Sequence, residues 1–250
     1  MIELSENKLV ITGGSRGIGS KLAAHFAASS RVYVISQNSN SDSENNGSSI
    51  ATYQADVCDE TRINQIFEAI GPFNGLINCA GILGPVGKIE QSDMAHWSRT
   101  LSVNVLGTAI VTKLSLPYLM SYFKESGKKS KIINIAGGGA AYPRKHHTAY
   151  AASKAAVVRF TETLSLEIGK SIDINSLAPG AHKTDMWKEE TYDKEPEKWA
   201  DVSRLIKTVE YLLGNSSDGI SGKFIHINDN WESFSSDISN TDYLSLRRIE

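Results

Sequence analysis

Tyr150 and Lys154 stand four positions apart in TAYAASKAAVVRFTETL, whose alanines, Val157, Phe160 and Leu164 favour a long helix, so the two side chains share one face. A phenol with a reference pKa of about 10 is protonated at neutral pH; an ammonium one helical turn away favours phenolate and makes the phenol a better proton exchanger. A second feature lies near the start of the chain. In Thr12-Gly13-Gly14-Ser15-Arg16-Gly17-Ile18-Gly19, glycines let the backbone turn tightly and approach a pyrophosphate, while amides of the helix that follows face the anion. Its spacing, glycine at 13, 17 and 19, differs from the G-x-G-x-x-G fingerprint of many dinucleotide sites. A third is Asn104, a polar residue inside the apolar helical run TLSVNVLGTAIV, where burial demands hydrogen bonds.

These residues need elements to hold them. KLVIT, RVYVIS, ATYQADV, GLINCAG, KIINIAG, IDINSLAPG and KFIHIND read as strands, about seven in all. Between them, GIGSKLAAHFAASS places Ile18, Leu22 and Phe26 on one helical stripe, and DETRINQIFEAI does the same with Ile63, Ile66, Phe67 and Ile70. Parallel neighbours require crossovers, and crossover helices must bury their apolar stripes on the sheet. The expected fold is therefore α/β: a doubly wound, Rossmann-like parallel sheet in a single domain. One crossover, Gln37 to Ser49, has no apolar period and reads as a polar loop.

A chain of 250 residues can bury one sizeable core, and 40% hydrophobic with 22% charged residues is a globular composition. The formal net charge of −2 gives no electrostatic reason to expect nucleic acid or an anionic membrane as partner. Cys58 and Cys79 lack the paired spacing of a zinc site and read as reduced packing residues; no metal is expected. The N-terminus carries acidic residues where an export signal has basic ones, and the apolar stretches are broken before the ~18 positions of a membrane span, so a cytoplasmic location is expected.

TGGSRGIG at 12–19, NCAG at 78–81, Asn104, YAASK at 150–154 and PG at 179–180 occur in the order of the short-chain dehydrogenase/reductase family, and the likeness runs from about Lys8 to Asp229. The chain resembles the short, single-domain branch; the longer sugar-nucleotide branch would need glycine where Arg16 stands, which disfavours an epimerase or dehydratase. The resemblance implies a dinucleotide-binding domain over residues 1–230 that includes the catalytic helix, followed by a tail over 231–250 that covers the pocket, joins a neighbouring subunit or stays mobile. It makes Tyr150 the general acid for carbonyl reduction, or base for alcohol oxidation. Lys154 would bind the nicotinamide ribose, and Asn104 would help hold a water on the proton route. It places the cofactor against Gly13, Ser15, Arg16, Gly17, Ile18, Gly19, Asp56, Asn78, Ala80, Gly81, Pro179, Gly180 and Thr184, together with Tyr150 and Lys154. It also implies a homodimer or homotetramer with the long helices around Asn104 and Tyr150 at the interface.

Two details depart from the usual pattern. The end of the second strand offers Ser36, Gln37 and Asn38 where an acid would hold a free ribose 2′-hydroxyl and repel a phosphate, and Arg16 is near enough in sequence to meet that phosphate, so NADP is preferred with NAD possible. Thirteen positions before Tyr150, where relatives place a serine that polarises the carbonyl, stands Gly137, and no hydroxyl occurs between Asn134 and Ala141. Losing such a donor costs ~10²–10³ in rate. Substitutes are an amide of the glycine run, Tyr142, His146, His147 or Thr148, with His147 ranked first; otherwise the PRKHH segment reads as solvated. Glycine there would alternatively leave room for a substrate that brings its own hydrogen bond. Two functions follow: an NAD(P)-dependent oxidoreductase interconverting a ketone and a secondary alcohol, or a nucleotide-binding protein with little catalysis. AHKTDMWKEETYDKEPEKWADV, after Pro179-Gly180, reads as a lid over the small-molecule site.

Overall fold

The computed structural model describes residues 7–39, 42 and 49–246. Seven parallel strands form one sheet in the order β3-β2-β1-β4-β5-β6-β7, where β1 is Lys8–Thr12, β2 Arg31–Ser36, β3 Ile50–Gln54, β4 Gly75–Asn78, β5 Ser130–Ile135, β6 Ile172–Ala178 and β7 Phe224–His226. Alternation along each strand divides the core in two. Val10, Leu76, Ile132 and Ile174 face one side, where Ile63, Ile66, Phe67 and Ile70 of α2 (Glu60–Ile70) and Val111 and Leu119 of α4 (Thr108–Ser126) cover them. Leu9, Ile11, Ile77 and Ile133 face the other, under Leu22, Ala23 and Phe26 of α1 (Gly17–Phe26) and Leu205, Val209 and Leu212 of α7 (Val202–Leu213). The doubly wound expectation holds.

Strand order reverses between β1 and β4, so the loops leaving these two strands diverge and open a crevice at their carboxyl ends. Thr12 holds the two loops in register: its Oγ1 accepts from the amides of Cys79 (3.1 Å) and Ala80 (3.2 Å). The remaining elements that shape the crevice are α3 (Met94–Leu101), α5 (Thr148–Ser165) and α6 (Asp185–Lys188).

From Met94 to Ser126 the chain is one continuous helical run, with a π-helical stretch at Ser102–Gly107 joining α3 to α4. Contrary to the sequence expectation, this run is long and apolar enough by composition to cross a membrane; half of its most apolar window is buried inside the fold, where Asn104, Thr108, Thr112 and Ser115 make internal hydrogen bonds. In the π-helical turn Gly107 packs tightly on the segment after β3: a Cβ there would come within 2.4 Å of Val57. Most of the polar crossover expected between β2 and β3 lies outside the described residues. At its described point, Asp42 pairs with Arg62 of α2 and accepts from the Gln54 amide at 2.8 Å.

The tail packs on its own subunit as far as Leu246. The Phe224 amide donates to Leu244 O at 2.8 Å, Lys223 Nζ to Thr241 O at 2.6 Å, and the Leu246 amide to the Glu162 carboxylate at 2.6 Å, while Trp231 is buried beside Tyr211. It thus flanks the open edge of β7 and docks on the far end of α5.

Candidate active site

The turn after β1 can exist only with glycine. Gly13 has φ 67°, and a Cβ there would lie 2.7 Å from Ala80 Cα; Gly17, at φ 59°, starts α1 in the same left-handed region. This brings the backbone of Gly13, Ser15, Arg16, Gly17 and Ile18 to the wall of a cavity of about 860 Å³ that runs over the carboxyl ends of the strands. Ser15 Oγ bonds Ser36 Oγ at 2.7 Å, tying the turn to the end of β2, and Ser36, Gln37 and Asn38 line the same cavity. With the amino end of α1 presenting its free amides here, the residues fit a dinucleotide pyrophosphate.

Of the residues assigned to the cofactor, Asp56, Ala80, Gly81, Tyr150, Lys154, Pro179, Gly180 and Thr184 also line the cavity; Gly19 and Asn78 do not. Gly19 serves packing, because a Cβ there would meet Gly13 O at 2.5 Å. Asn78 is buried in the sheet, its Nδ2 donating to Thr112 Oγ1 (2.9 Å) and Asn134 Oδ1 (2.8 Å). Asp56 accepts from the Cys58 amide at 3.0 Å and from Arg99 at 2.5 Å; burial pushes its carboxyl upward, but these donors outweigh it and the net shift is downward.

The reacting end is built on α5. Lys154, 5% exposed, donates from Nζ to Ile135 O at 2.8 Å and lies 5.6 Å from the centroid of the Tyr150 ring. Burial depresses its ammonium to about 8. Burial also raises the Tyr150 phenol above its ordinary value; the Arg144 guanidinium opposes the rise and Cys79, itself pushed up to about 11 by burial, adds to it. Asn104 sits behind the cavity wall, 1% exposed. Its Nδ2 donates to Ile82 O (3.0 Å) and Ser153 Oγ (2.9 Å), and its Oδ1 accepts from the Ile82 amide (2.9 Å), so it clamps the loop after β4 to the second turn of α5.

Gly137 lies beside the phenol: a Cβ there would be 3.3 Å from Tyr150 Oη. The substitutes considered for a hydroxyl at this point fare unequally. Tyr142 and the glycine run line the cavity, whereas His146, His147 and Thr148 do not. His147, ranked first, is fully buried, with Nδ1 on Lys145 O (2.7 Å) and Nε2 on Glu190 (2.7 Å), so neither ring nitrogen is open to a ligand, and it is not the solvated histidine that the PRKHH composition suggests, although Pro143 and Lys145 are exposed. His146 stacks on Tyr192 at 4.1 Å, and Thr148 accepts from Trp97 Nε1 at 3.2 Å.

Sequence reasoning passed over Arg144. It lines the cavity, its Cζ 5.8 Å from the centroid of the Tyr150 ring, and pairs through Nε with Asp193 (2.7 Å) and through a terminal nitrogen with Glu190 (2.5 Å). Those two carboxylates belong to the segment expected as a lid, so the lid is fastened to the loop before α5, with Trp187 packed edge-on against Trp199 at 5.2 Å. No local signal in the sequence pairs residues that far apart.

A Rossmann-like crevice with a glycine turn that fits a phosphate at one end, and a half-buried tyrosine beside a buried lysine at the other, defines a dinucleotide-dependent class of protein. The family model described as "short chain dehydrogenase" matches residues 7–195. The 2,3-dihydro-2,3-dihydroxybenzoate dehydrogenase of Bacillus subtilis (strain 168) is 33% identical over 223 residues, 84% of this chain and 80% of that protein. The short chain dehydrogenase tazN of Aspergillus terreus is 30% identical over 200 residues, 74% of this chain, which spans only 43% of tazN's length. Among solved structures, a short-chain dehydrogenase from Escherichia coli CFT073 in complex with NADPH superposes with a TM-score of 0.79 at 22% identity, covering 90% of this chain and 97% of that one, a likeness of fold. The chain belongs to the short-chain dehydrogenase family, a family of oxidoreductases.

Proposed function

We propose that the protein interconverts a small-molecule ketone and the corresponding secondary alcohol with a nicotinamide cofactor, NADP in preference to NAD. The observation that carries this reading is the convergence of the Gly13–Gly17 turn, Tyr150 and Lys154 on one cavity. The bound nicotinamide supplies or accepts the hydride. Tyr150 gives its proton to the substrate oxygen in reduction and takes it back in oxidation, and Lys154, held by Ile135 O, offers its remaining protons to a ribose. Asn104 acts as a positioning residue that holds Ile82 and Ser153, and Gly19 and Asn78 shape the turn and the sheet beneath the cofactor. The lid over residues 181–202 closes over the substrate and excludes water from the reacting atoms.

The NADP preference rests on Arg16 and on the uncharged Ser36, Gln37 and Asn38 at the cavity rim. Exposed Met94 (58%), Leu106 (54%) and Met120 (40%), all on the helical run that carries Asn104, support assembly of a homodimer or homotetramer through the long helices around Asn104 and Tyr150. We place the protein in the cytoplasm. The rival reading, a nucleotide-binding protein with little catalysis, is favoured by the missing hydroxyl at Gly137. Tyr150→Phe decides between them: turnover falling about 10²–10⁴-fold with cofactor binding retained supports the enzyme, whereas a parent protein inert toward a broad carbonyl panel, yet binding NADP, supports the rival.

A further inference from the structure

The cavity offers no side-chain hydroxyl at Gly137, yet a substrate oxygen placed beside Tyr150 must gather negative charge when the carbonyl is reduced, and such charge needs a donor or cation aimed at it. Two cations stand by the Tyr150 ring. Lys154 approaches from α5, and the cofactor ribose competes for it. Arg144 approaches from the loop before α5, on the cavity wall and 24% exposed, and two of its three nitrogens are held by Glu190 and Asp193 while the other terminal nitrogen has no partner among the described residues. Glu190 is itself held rigidly: one oxygen accepts from the amides of Tyr192 (2.9 Å) and Asp193 (3.0 Å), the other from His147 and Arg144. The guanidinium plane is thus fixed, which is what a preorganised electrostatic group requires. His147, Glu190 and Asp193 bring ligand atoms within 4.8 Å of one another as a metal site would, but the positive charge they surround is already supplied by Arg144.

We propose that Arg144 replaces the absent hydroxyl: its open guanidinium nitrogen bonds the substrate oxygen, and its charge stabilises both that oxygen and the Tyr150 phenolate. This rests on the carbonyl–alcohol reading above. The groups that face Tyr150 are Lys154 on α5, Cys79 after β4 and Arg144 before α5, with Glu190, Asp193 and His147 behind the guanidinium. Of these, Arg144 is the one that draws the phenol downward against burial, and Cys79 pushes it up. Because Glu190 and Asp193 sit on the lid, the donor is complete only while the lid is fastened.

The test uses the full chain labelled with 3-fluorotyrosine, whose lower phenol pKa brings titration into the stable range, with the Tyr150 signal identified through Tyr150→Phe. In the cofactor-free protein, Arg144→Met should move the Tyr150 ¹⁹F titration to higher pH, and Arg144→Lys should move it less. In turnover, Arg144→Met should lower kcat about 10²-fold, shift the phenol limb of the pH profile the same way, and recover part of the loss when combined with Gly137→Ser. A Tyr150 titration unmoved in both variants, or a rise in KM alone, would show that Arg144 only fastens the lid and would overturn the proposal. Should the parent lack carbonyl activity, the oxidoreductase reading fails, while the fluorine titration still decides whether Arg144 controls the phenol.

Discussion

Gly137 abuts the hydroxyl end of Tyr150: a Cβ added there would stand 3.3 Å from Oη, and its next neighbours would also be atoms of that ring. The glycine therefore keeps open the space in which, on the proposed reaction, a carbonyl oxygen meets the phenol. A branched side chain at this position has nowhere to go except into that space or against the ring. Gly137→Val is expected to lower kcat about 10²-fold, since displacement of a reacting group by an ångström has effects of that size. NADP affinity should stay within a few-fold, because the phosphate turn lies at the other end of the cavity. Steady-state kinetics and a fluorescence titration of the cofactor separate the two.

Lys154 is buried with its ammonium depressed to about 8, and so carries a stability penalty. Below pH 8 the side chain is charged in both folded and unfolded chains, and the folded state bears the full desolvation cost. Between about 8 and the unfolded value of 10.5 the unfolded chain binds more protons, so stability rises with pH; above that range the cost is gone. Lys154→Met should accordingly be more stable than the parent at pH 7, by about 1–3 kcal/mol, with the gap closing by pH 10.5, and should lose turnover. Thermal melts across this range, together with one rate measurement, check the sign.

Much of this site was legible because its signals are local. The four-residue interval of Tyr150 and Lys154 and the glycines of 13–19 each act within one turn of chain, and strict alternation in strands such as KLVIT fixes which side chains face which helices. The π-helical turn at Ser102–Gly107 was not legible, since SVNVLG has the composition of an ordinary helix, although Gly107 within it lies where a side chain would strike Val57. Arg144 and His147 escaped for a different reason. Their partners Glu190 and Asp193 lie 43 to 49 positions away, and a basic loop read without them resembles a solvated one. The tail's choice of its own β7 edge likewise depends on backbone bonds, such as Phe224 to Leu244, that side-chain patterns do not encode.

Arg16 and Gln37 both line the cavity and face solvent, and the proposed NADP preference assigns cofactor choice to this rim. Introducing a carboxylate at Gln37 should accept bonds from a free ribose 2′-hydroxyl and repel a 2′-phosphate. Gln37→Asp is expected to shift the ratio of NADP to NAD affinity about 10- to 100-fold toward NAD, the range set by one hydrogen bond to a charged group. Arg16→Ala should weaken NADP while leaving NAD little changed. Parallel binding titrations with both cofactors provide the measurement, and an unchanged ratio in both variants would remove these residues from the selectivity argument.

At the opposite end of the sheet, Asp173 on β6 accepts from Lys131 (2.8 Å), Lys129 (2.7 Å) and the Gly219 amide (3.0 Å), with the Lys131 and Asp173 side chains each 3% exposed. A buried pair of this kind adds little relative to apolar residues of the same volume, but removing one member leaves the other charged and desolvated. Lys131 would keep Asp218, at 2.6 Å, whose side chain is 44% exposed and so offers a weaker, solvent-screened partner. Asp173→Ala is thus expected to destabilise the fold by about 3–5 kcal/mol. Adding Lys131→Met to Asp173→Ala should return most of that loss, because the orphaned ammonium is then gone. Urea denaturation of the parent, both single variants and the double variant closes the cycle; if the double variant is no more stable than Asp173→Ala, the loss comes from the freed Gly219 amide and not from the stranded charge.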